Sequence, residues 1–162
     1  MNGAAGLVVT AADEAALEAL ARQLARQISD PSSWVIFLRG PIGAGKTTFV
    51  RYLFRAFGVD DTIRSPTYTL LEPYTAGRFK LFHLDLYRLA GPEELEYLGV
   101  RDLLAEAALW CVEWPDKGRG ELPSPDLEID IEPVGEYRRL QLVPCTSRAR
   151  QALAPMGDDE PA

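Results

Sequence analysis

One short segment, residues 40–49, constrains this chain more than any other. It reads GPIGAGKTTF and matches the pattern G-x-x-x-x-G-K-[ST] at Gly40, Gly45, Lys46 and Thr47. The apolar run WVIFL stands just before the segment, and apolar residues at helical spacing follow it up to Phe57. A buried strand, a glycine-rich turn and a helix in this order predict a loop that binds phosphate groups.

Each residue type in this pattern has a chemical reason. Glycines allow the backbone to curl so that its N–H groups point at phosphate oxygens. The positive charge of Lys46 suits the outer phosphates, and the hydroxyl of Thr47 suits a magnesium ion that bridges phosphate oxygens. The positive end of the following helix favours the same anion. The segment therefore predicts binding of a nucleotide with Mg²⁺.

Such a site also needs an acid at the end of a neighbouring strand, which holds the metal ion or positions the attacking water. Glu113 follows the uninterrupted apolar run ALWCV, as expected for a central parallel strand, and Asp85 ends the more amphipathic segment KLFHLD. Glu113 could instead be a solvated acid at the end of a strand, without a role in function. Asp85 could instead be a surface acid that pairs with Arg88 or Lys80. The residues alone leave both acids in contention.

His83 is the only histidine of the chain, and it lies two residues before Asp85 on the same side of the predicted strand. On a half-buried strand a structural role is more common for such a residue than a catalytic one. A His-x-Asp pair also resembles a metal site. Because the sequence has no further histidine and no cysteine close to this pair, zinc binding is not expected.

The pattern of elements predicts an α/β fold: a single-domain P-loop NTPase with a central mixed, largely parallel β-sheet flanked by helices. The segments LEIDIEPV and YRRLQLVP predict a hairpin with its turn at Gly135 and Glu136. We expect the domain to span residues 1–144. The remaining residues, 145–162, end in APMGDDEPA and are expected to form a flexible tail.

The size and charge of the chain limit its class. Its 162 residues suit one domain, and its net charge of −7 argues against a broad nucleic-acid-binding face, so DNA is not expected as a partner. The first residues lack the pattern of a signal peptide, and no apolar run approaches the length of a membrane span. We therefore expect a cytoplasmic protein without membrane contact.

Several motifs taken together resemble one family. The segments GPIGAGKTTF, SPTYTL, HLDLYRL, PEELEYLG and VEWP occur in the order and spacing of the TsaE (YjeE) family, the P-loop ATPases of bacterial tRNA threonylcarbamoyladenosine synthesis. The resemblance covers roughly residues 7–143. The N-terminal segment of the family lines the adenine pocket, which here falls near Asp13 or Glu14. One departure is Pro41-Ile42, where the family usually has Asp-Leu; it affects only the stiffness of the loop.

The resemblance implies a role for each motif residue. The ATP phosphates are expected to lie in the loop formed by Gly43, Ala44, Gly45, Lys46, Thr47 and Thr48. Thr47 and Glu113 match the magnesium ligands of the family, and Asp85 matches its acid near the terminal phosphate, which is expected to orient water. Thr67 matches a threonine of the switch loop, and Trp114 matches an aromatic residue near the nucleotide. The expected catalytic residues are Lys46, Asp85 and Glu113.

The resemblance also implies an accessory function. The family ATPase binds the heterodimer of TsaB and TsaD, which transfers a threonylcarbamoyl group to the adenosine beside the tRNA anticodon. It hydrolyses ATP slowly on its own, and this hydrolysis is needed for repeated cycles of modification. We therefore expect a Mg²⁺-dependent ATPase with ATP or ADP as ligand, TsaD and TsaB as partners, and contact with tRNA only through them.

Two other functions are consistent with the residues alone. A small-molecule kinase would share the phosphate loop, but it would need an arginine-rich lid, and only the short stretch DKGRG at residues 116–120 is lid-like. A binding module that holds ATP as a switch with negligible turnover would also keep the loop. An arginine that acts at the transition state is not fixed by the sequence: Arg64, Arg88 or a partner residue are the alternatives.

Overall fold

The computed structural model describes residues 6–60, 62–63, 66 and 69–157. These residues form one seven-stranded β-sheet and five α-helices. The strands are β1 Leu7–Ala11, β2 Trp34–Arg39, β3 Leu71–Ala76, β4 Phe79–Asp85, β5 Leu109–Glu113, β6 Leu127–Val134 and β7 Tyr137–Pro144. The helices are α1 Glu14–Gln27, α2 Lys46–Phe57, α3 Glu94–Tyr97, α4 Val100–Leu104 and α5 Ser147–Gly157.

The sheet is mixed, as predicted, with the strand order β1-β7-β6-β2-β5-β4-β3. The four neighbouring strands β6, β2, β5 and β4 are parallel, whereas β7, β1 and β3 join the sheet in antiparallel fashion. The two apolar runs of the sequence are β2 and β5, which lie side by side at the centre. The predicted hairpin is also confirmed, since β6 and β7 pair across a turn at Gly135 and Glu136.

Helices α1, α2 and α5 cover one face of the sheet. Their core residues include Leu17, Phe49, Leu53 and Leu153, which pack in one cluster with strand residues such as Leu38. A second cluster lies on the opposite face and brings the α3–α4 segment against the sheet through residues that include Phe37, Leu84, Val112, Leu95 and Val100. Because β2, β4 and β5 are parallel and buried between these layers, their carboxyl ends meet at one edge of the sheet.

The C-terminal segment differs from the predicted flexible tail. Helix α5 buries Ala149, Ala152, Leu153 and Met156, and it contacts α1 and β7. These four residues recur at i, i+3, i+4 and i+7, which places them on one face of a helix that the core can cover. The prediction of a flexible segment from residue 145 onwards is therefore wrong over Ser147–Gly157, and residues 158–162 lie outside the described part of the chain.

No helix among the described residues is long and apolar enough to cross a membrane.

Candidate functional site

The loop between β2 and α2 has a backbone that only glycine adopts without strain at several points. Gly40, Gly43 and Gly45 all have positive φ angles, of 148°, 79° and 107°. A Cβ atom on Gly40 would also clash with the carbonyl oxygen of Ile131 in β6. The loop then runs directly into α2, which begins at Lys46. The glycines that the motif requires therefore stand where the fold needs them.

Lys46 lies at the mouth of this loop and is only 6 % exposed. Its Nζ donates hydrogen bonds to the carbonyl oxygens of Gly40, at 2.6 Å, and Pro41, at 2.9 Å. Burial lowers the pKa of Lys46, while the negative charges of Glu113 and Asp85 act in the opposite direction. The ammonium group thus stands at a buried position close to both acids.

Glu113 ends β5 and is almost completely buried, with 2 % of its surface exposed. The hydroxyl of Thr47 lies 2.9 Å and 3.1 Å from its two carboxylate oxygens. Nε2 of His83 lies 2.5 Å from Oε2 of the same carboxylate. The carboxylate is therefore fixed from two sides, by the first turn of α2 and by β4. The alternative of a solvated acid at the strand exit does not hold for Glu113.

Asp85 is the register partner of Glu113 on the neighbouring strand and is 5 % exposed. Its Oδ1 accepts a hydrogen bond of 3.0 Å from the backbone N–H of Tyr87. Asp85 is buried beside the phosphate loop, so the alternative of a surface acid does not hold either.

Trp114 closes the same edge of the sheet. It has a left-handed backbone with φ of 57° and ψ of 49°, which is uncommon for a bulky residue and often marks a functional site. Nζ of Lys46 lies 4.6 Å from the centre of the Trp114 ring, and the centres of the Trp114 and Tyr87 rings are 5.1 Å apart. The indole therefore forms one wall around the lysine, within reach of a ligand that the loop holds.

The donor atoms near Lys46 suit a hard cation. The hydroxyl of Thr47 and the carboxylate of Glu113 converge, and Mg²⁺ prefers oxygen ligands, phosphate oxygens and water among them. Within the described residues, no cluster of three or more histidine, cysteine or acidic side chains suits a metal ion. A magnesium ion here would therefore take its remaining ligands from phosphates and water, which fits the usual way in which proteins bind it.

The structure brings most of the predicted site residues to one place. Lys46, Thr47, Asp85, Glu113 and Trp114 converge on the carboxyl ends of β2, β4 and β5. The other predicted phosphate-binding residues lie in the loop and the first turn of α2: Gly43, Ala44, Gly45 and Thr48. Thr67 and Arg64 lie outside the described residues, and Arg88 is exposed in the segment after β4.

Two features of the site were not predicted. His83 contacts the carboxylate of Glu113, although the sequence suggested only that it shares a strand face with Asp85. The alternation of residues along the strand gave no signal for this contact, because the contact depends on the pairing of β4 with β5. Arg138 approaches Gly45 from the β6–β7 hairpin, and no local motif marks this residue either.

A phosphate loop of this geometry, with buried acids at the ends of the next two strands, places the chain among the nucleotide-binding P-loop proteins. Comparison with known families is more specific. The model of the family described as "Threonylcarbamoyl adenosine biosynthesis protein TsaE" matches residues 11–140. The chain therefore belongs to the TsaE family, which confirms the resemblance seen in the motifs.

Individual relatives agree with this assignment. The chain is 38 % identical over 120 residues to the tRNA threonylcarbamoyladenosine biosynthesis protein TsaE of Haemophilus influenzae, which is 74 % of this chain and 76 % of that protein. It is 34 % identical over 105 residues to the protein of the same name from Bacillus subtilis, 65 % of each chain. The crystal structure of Bacillus subtilis YdiB matches with a TM-score of 0.76 and 24 % identity over 93 % of both chains, which shows that the fold is shared.

Proposed function

We propose that this protein is a Mg²⁺-dependent ATPase that serves the synthesis of threonylcarbamoyladenosine in tRNA. One observation carries the proposal: the hydroxyl of Thr47 and the carboxylate of Glu113 meet within 2.9 Å, next to the buried ammonium group of Lys46. A hydroxyl, an acid and a lysine around a phosphate loop are the parts that phosphoryl transfer needs. The relatives carry the name of tRNA threonylcarbamoyladenosine biosynthesis proteins, which supports the pathway.

In this proposal the phosphate loop binds ATP or ADP through its backbone. The N–H groups of residues 43–48 and the N-terminal end of α2 face the phosphates, and Lys46 neutralises the outer ones. Thr47 and Glu113 hold Mg²⁺, which when bound draws charge away from the phosphate oxygens. His83 keeps the carboxylate of Glu113 oriented towards the loop through its contact with Oε2. Trp114 lies against the nucleotide on the side of Lys46.

Asp85 has the position to orient water. It stands beside Glu113 on the neighbouring strand, where the terminal phosphate of a nucleotide in the loop would lie. The oxygen of a water forms a bond to the terminal phosphorus, and the bond from this phosphorus to the bridging oxygen breaks, so that ADP leaves. The protons of the water pass to the new phosphate and to solvent, and inorganic phosphate is the second product. The carboxylate of Asp85 accepts a hydrogen bond from this water and thereby orients a lone pair of the water oxygen towards phosphorus. Thr67 is proposed to sense the terminal phosphate from the switch loop.

The proposed activity is accessory and depends on partners. Family membership suggests a protein that works in a complex with others, and we propose the heterodimer of TsaD and TsaB as that complex in the cytoplasm. The net charge of −7 gives no broad surface for RNA, so tRNA is reached through the partners. Hydrolysis by this chain then resets the complex for the next round of threonylcarbamoyl transfer.

Measurement of phosphate release tests this proposal. The purified protein is mixed with ATP and Mg²⁺, alone and with TsaB and TsaD, and Lys46→Ala serves as the control for contaminating ATPases. We expect slow release by the protein alone, a clear rise with the pair, and neither with the variant or with EDTA. Equal and slow release under both conditions would contradict a partner-gated ATPase and favour an ATP-binding switch.

A further inference from the structure

The β6–β7 hairpin forms a second wall beside the phosphate loop. The carbonyl oxygen of Ile131 in β6 stands against Gly40, at the start of the loop. Arg138 in β7 stands against Gly45, at its end: a Cβ atom on Gly45 would lie 3.0 Å from Nε of Arg138 and 3.4 Å from its Cζ. The guanidinium group therefore lies directly beside the backbone that is expected to surround the phosphates.

Arg138 differs from its neighbours in having no partner for its charge. Arg39 contacts both Asp116 and Glu128, at 3.0 Å each, and Arg139 contacts Glu132 at 2.8 Å. Arg138 is half-buried, yet within the described part of the chain its guanidinium group forms no ion pair and no hydrogen bond. A partly desolvated guanidinium group without an acceptor is unfavourable, so this position suits an anionic ligand.

The strand order indicates which part of a nucleotide lies there. Glu113 and Asp85 stand on β5 and β4, on one side of β2, whereas β6 and β7 lie on the other side. Strands β5 and β7 are three positions apart in the sheet, which is about 14 Å at the usual strand spacing. Arg138 is also the register partner of Ala11, which directly precedes the α1 N-terminal segment. The hairpin therefore faces the end of the nucleotide away from the terminal phosphate.

We propose that Arg138 is a nucleotide-binding residue whose guanidinium group contacts the inner phosphates, those that ATP and ADP share. Lys46, in the phosphate loop, binds the outer phosphates, and Arg138, in the β6–β7 hairpin, binds the inner ones. This assignment rests on the proposed function in one respect only, the binding of ATP or ADP to the loop. It does not require that the protein hydrolyses ATP.

Titration of ATP and ADP into the wild-type protein and three variants tests the assignment. Arg138→Ala removes the charge, and Arg138→Lys keeps the charge but lacks the planar set of N–H donors of a guanidinium group. Arg139→Ala is the matched control on the same strand. We expect Arg138→Ala to weaken ATP and ADP by the same factor, about tenfold or more, because charge-assisted hydrogen bonds to phosphate are lost. Arg138→Lys should lose less, and Arg139→Ala should bind both nucleotides like the wild type.

Thermal unfolding without nucleotide is measured for each variant, and Arg138→Ala should unfold at the wild-type temperature, since its charge has no partner in the fold. Three results would overturn the assignment: wild-type affinity in Arg138→Ala, an equal loss in Arg139→Ala, or a loss confined to ATP, which would move the contact to the terminal phosphate. The proposed ATPase fails separately, if the wild-type protein binds ATP but releases no phosphate with its partners.

Discussion

Replacement of Asp126 by alanine should destabilise the protein by loosening α5 from the sheet. Asp126 directly precedes β6 and is 5 % exposed. One carboxylate oxygen accepts hydrogen bonds from the hydroxyl of Thr146, at 3.0 Å, and from Nε of Arg148, at 2.9 Å. The other accepts from the backbone N–H of Val35, at 3.0 Å, and from the second guanidinium nitrogen of Arg148, at 2.8 Å. One side chain thus joins β2, the start of α5 and β6.

The expected cost follows from these donors. Val35 and Thr146 each lose one hydrogen bond, worth about 1 kcal/mol, and the two-pronged contact with Arg148 adds about 1 kcal/mol after a discount for its exposed side chain. The sum is a loss of about 3 kcal/mol in the free energy of unfolding, which corresponds to a fall of roughly 6–12 °C in Tm for a domain of this size.

Urea and thermal denaturation, followed by circular dichroism, measure the effect. Asp130→Ala is the matched control, because Asp130 is an exposed aspartate on β6 that accepts no hydrogen bond from the described residues. This control should change the free energy of unfolding by less than about 0.5 kcal/mol. A loss below 1 kcal/mol in Asp126→Ala, or an equal loss in the control, would refute the reasoning.

The same contact predicts a pH dependence. Burial by itself raises the pKa of Asp126, but the hydrogen bonds from Arg148, Val35 and Thr146 outweigh it and hold the pKa below its usual value. A carboxyl group whose pKa is lower in the folded state stabilises the fold above its unfolded-state pKa of about 3.9, and it loses this effect as the pH falls. The difference between wild type and Asp126→Ala should therefore be constant from pH 5 to 8 and shrink below pH 4.

Further predictions concern the site itself. Lys46→Ala should weaken ATP binding about tenfold or more in calorimetry, because its charge on the outer phosphates is lost. Glu113→Ala should lower the rate of phosphate release with partners by a factor on the order of 10², and normal turnover would contradict its role. Asp85→Ala should keep ATP affinity but lower turnover; unchanged turnover would leave it a structural residue. Gly40→Ala should reduce nucleotide affinity more than Gly43→Ala, because only the first meets a strand carbonyl.

Local signals made the core of the site predictable from sequence. The spacing of the glycines and the apolar runs are patterns of residues that are close together in the sequence. They were therefore enough to predict the phosphate loop and the two buried strands β2 and β5. The position of Glu113 followed from the same logic, since it ends a buried parallel strand. The alternation that placed His83 and Asp85 on one strand face was also a local property.

Features that depend on partners distant in sequence were not predictable. The contact of His83 with Glu113 joins residues 30 positions apart and exists because β4 and β5 pair in one particular register. Arg138 reaches Gly45 only after the hairpin has joined the sheet. Helix α5 was not predicted because Pro155 and the polar residues after it are typical of a flexible segment. The apolar face of this helix becomes recognisable only once α1 and β7 pack against it.

The two carbonyl partners of Lys46 set a condition on every ligand of the loop. The ammonium group has three N–H donors, and the carbonyl oxygens of Gly40 and Pro41 accept hydrogen bonds from two of them. A ligand oxygen therefore meets the remaining N–H of a charge that is already held in place, and the contact stabilises most when that oxygen is itself charged. The lysine thus favours an anion in the one direction that its two carbonyl partners leave open.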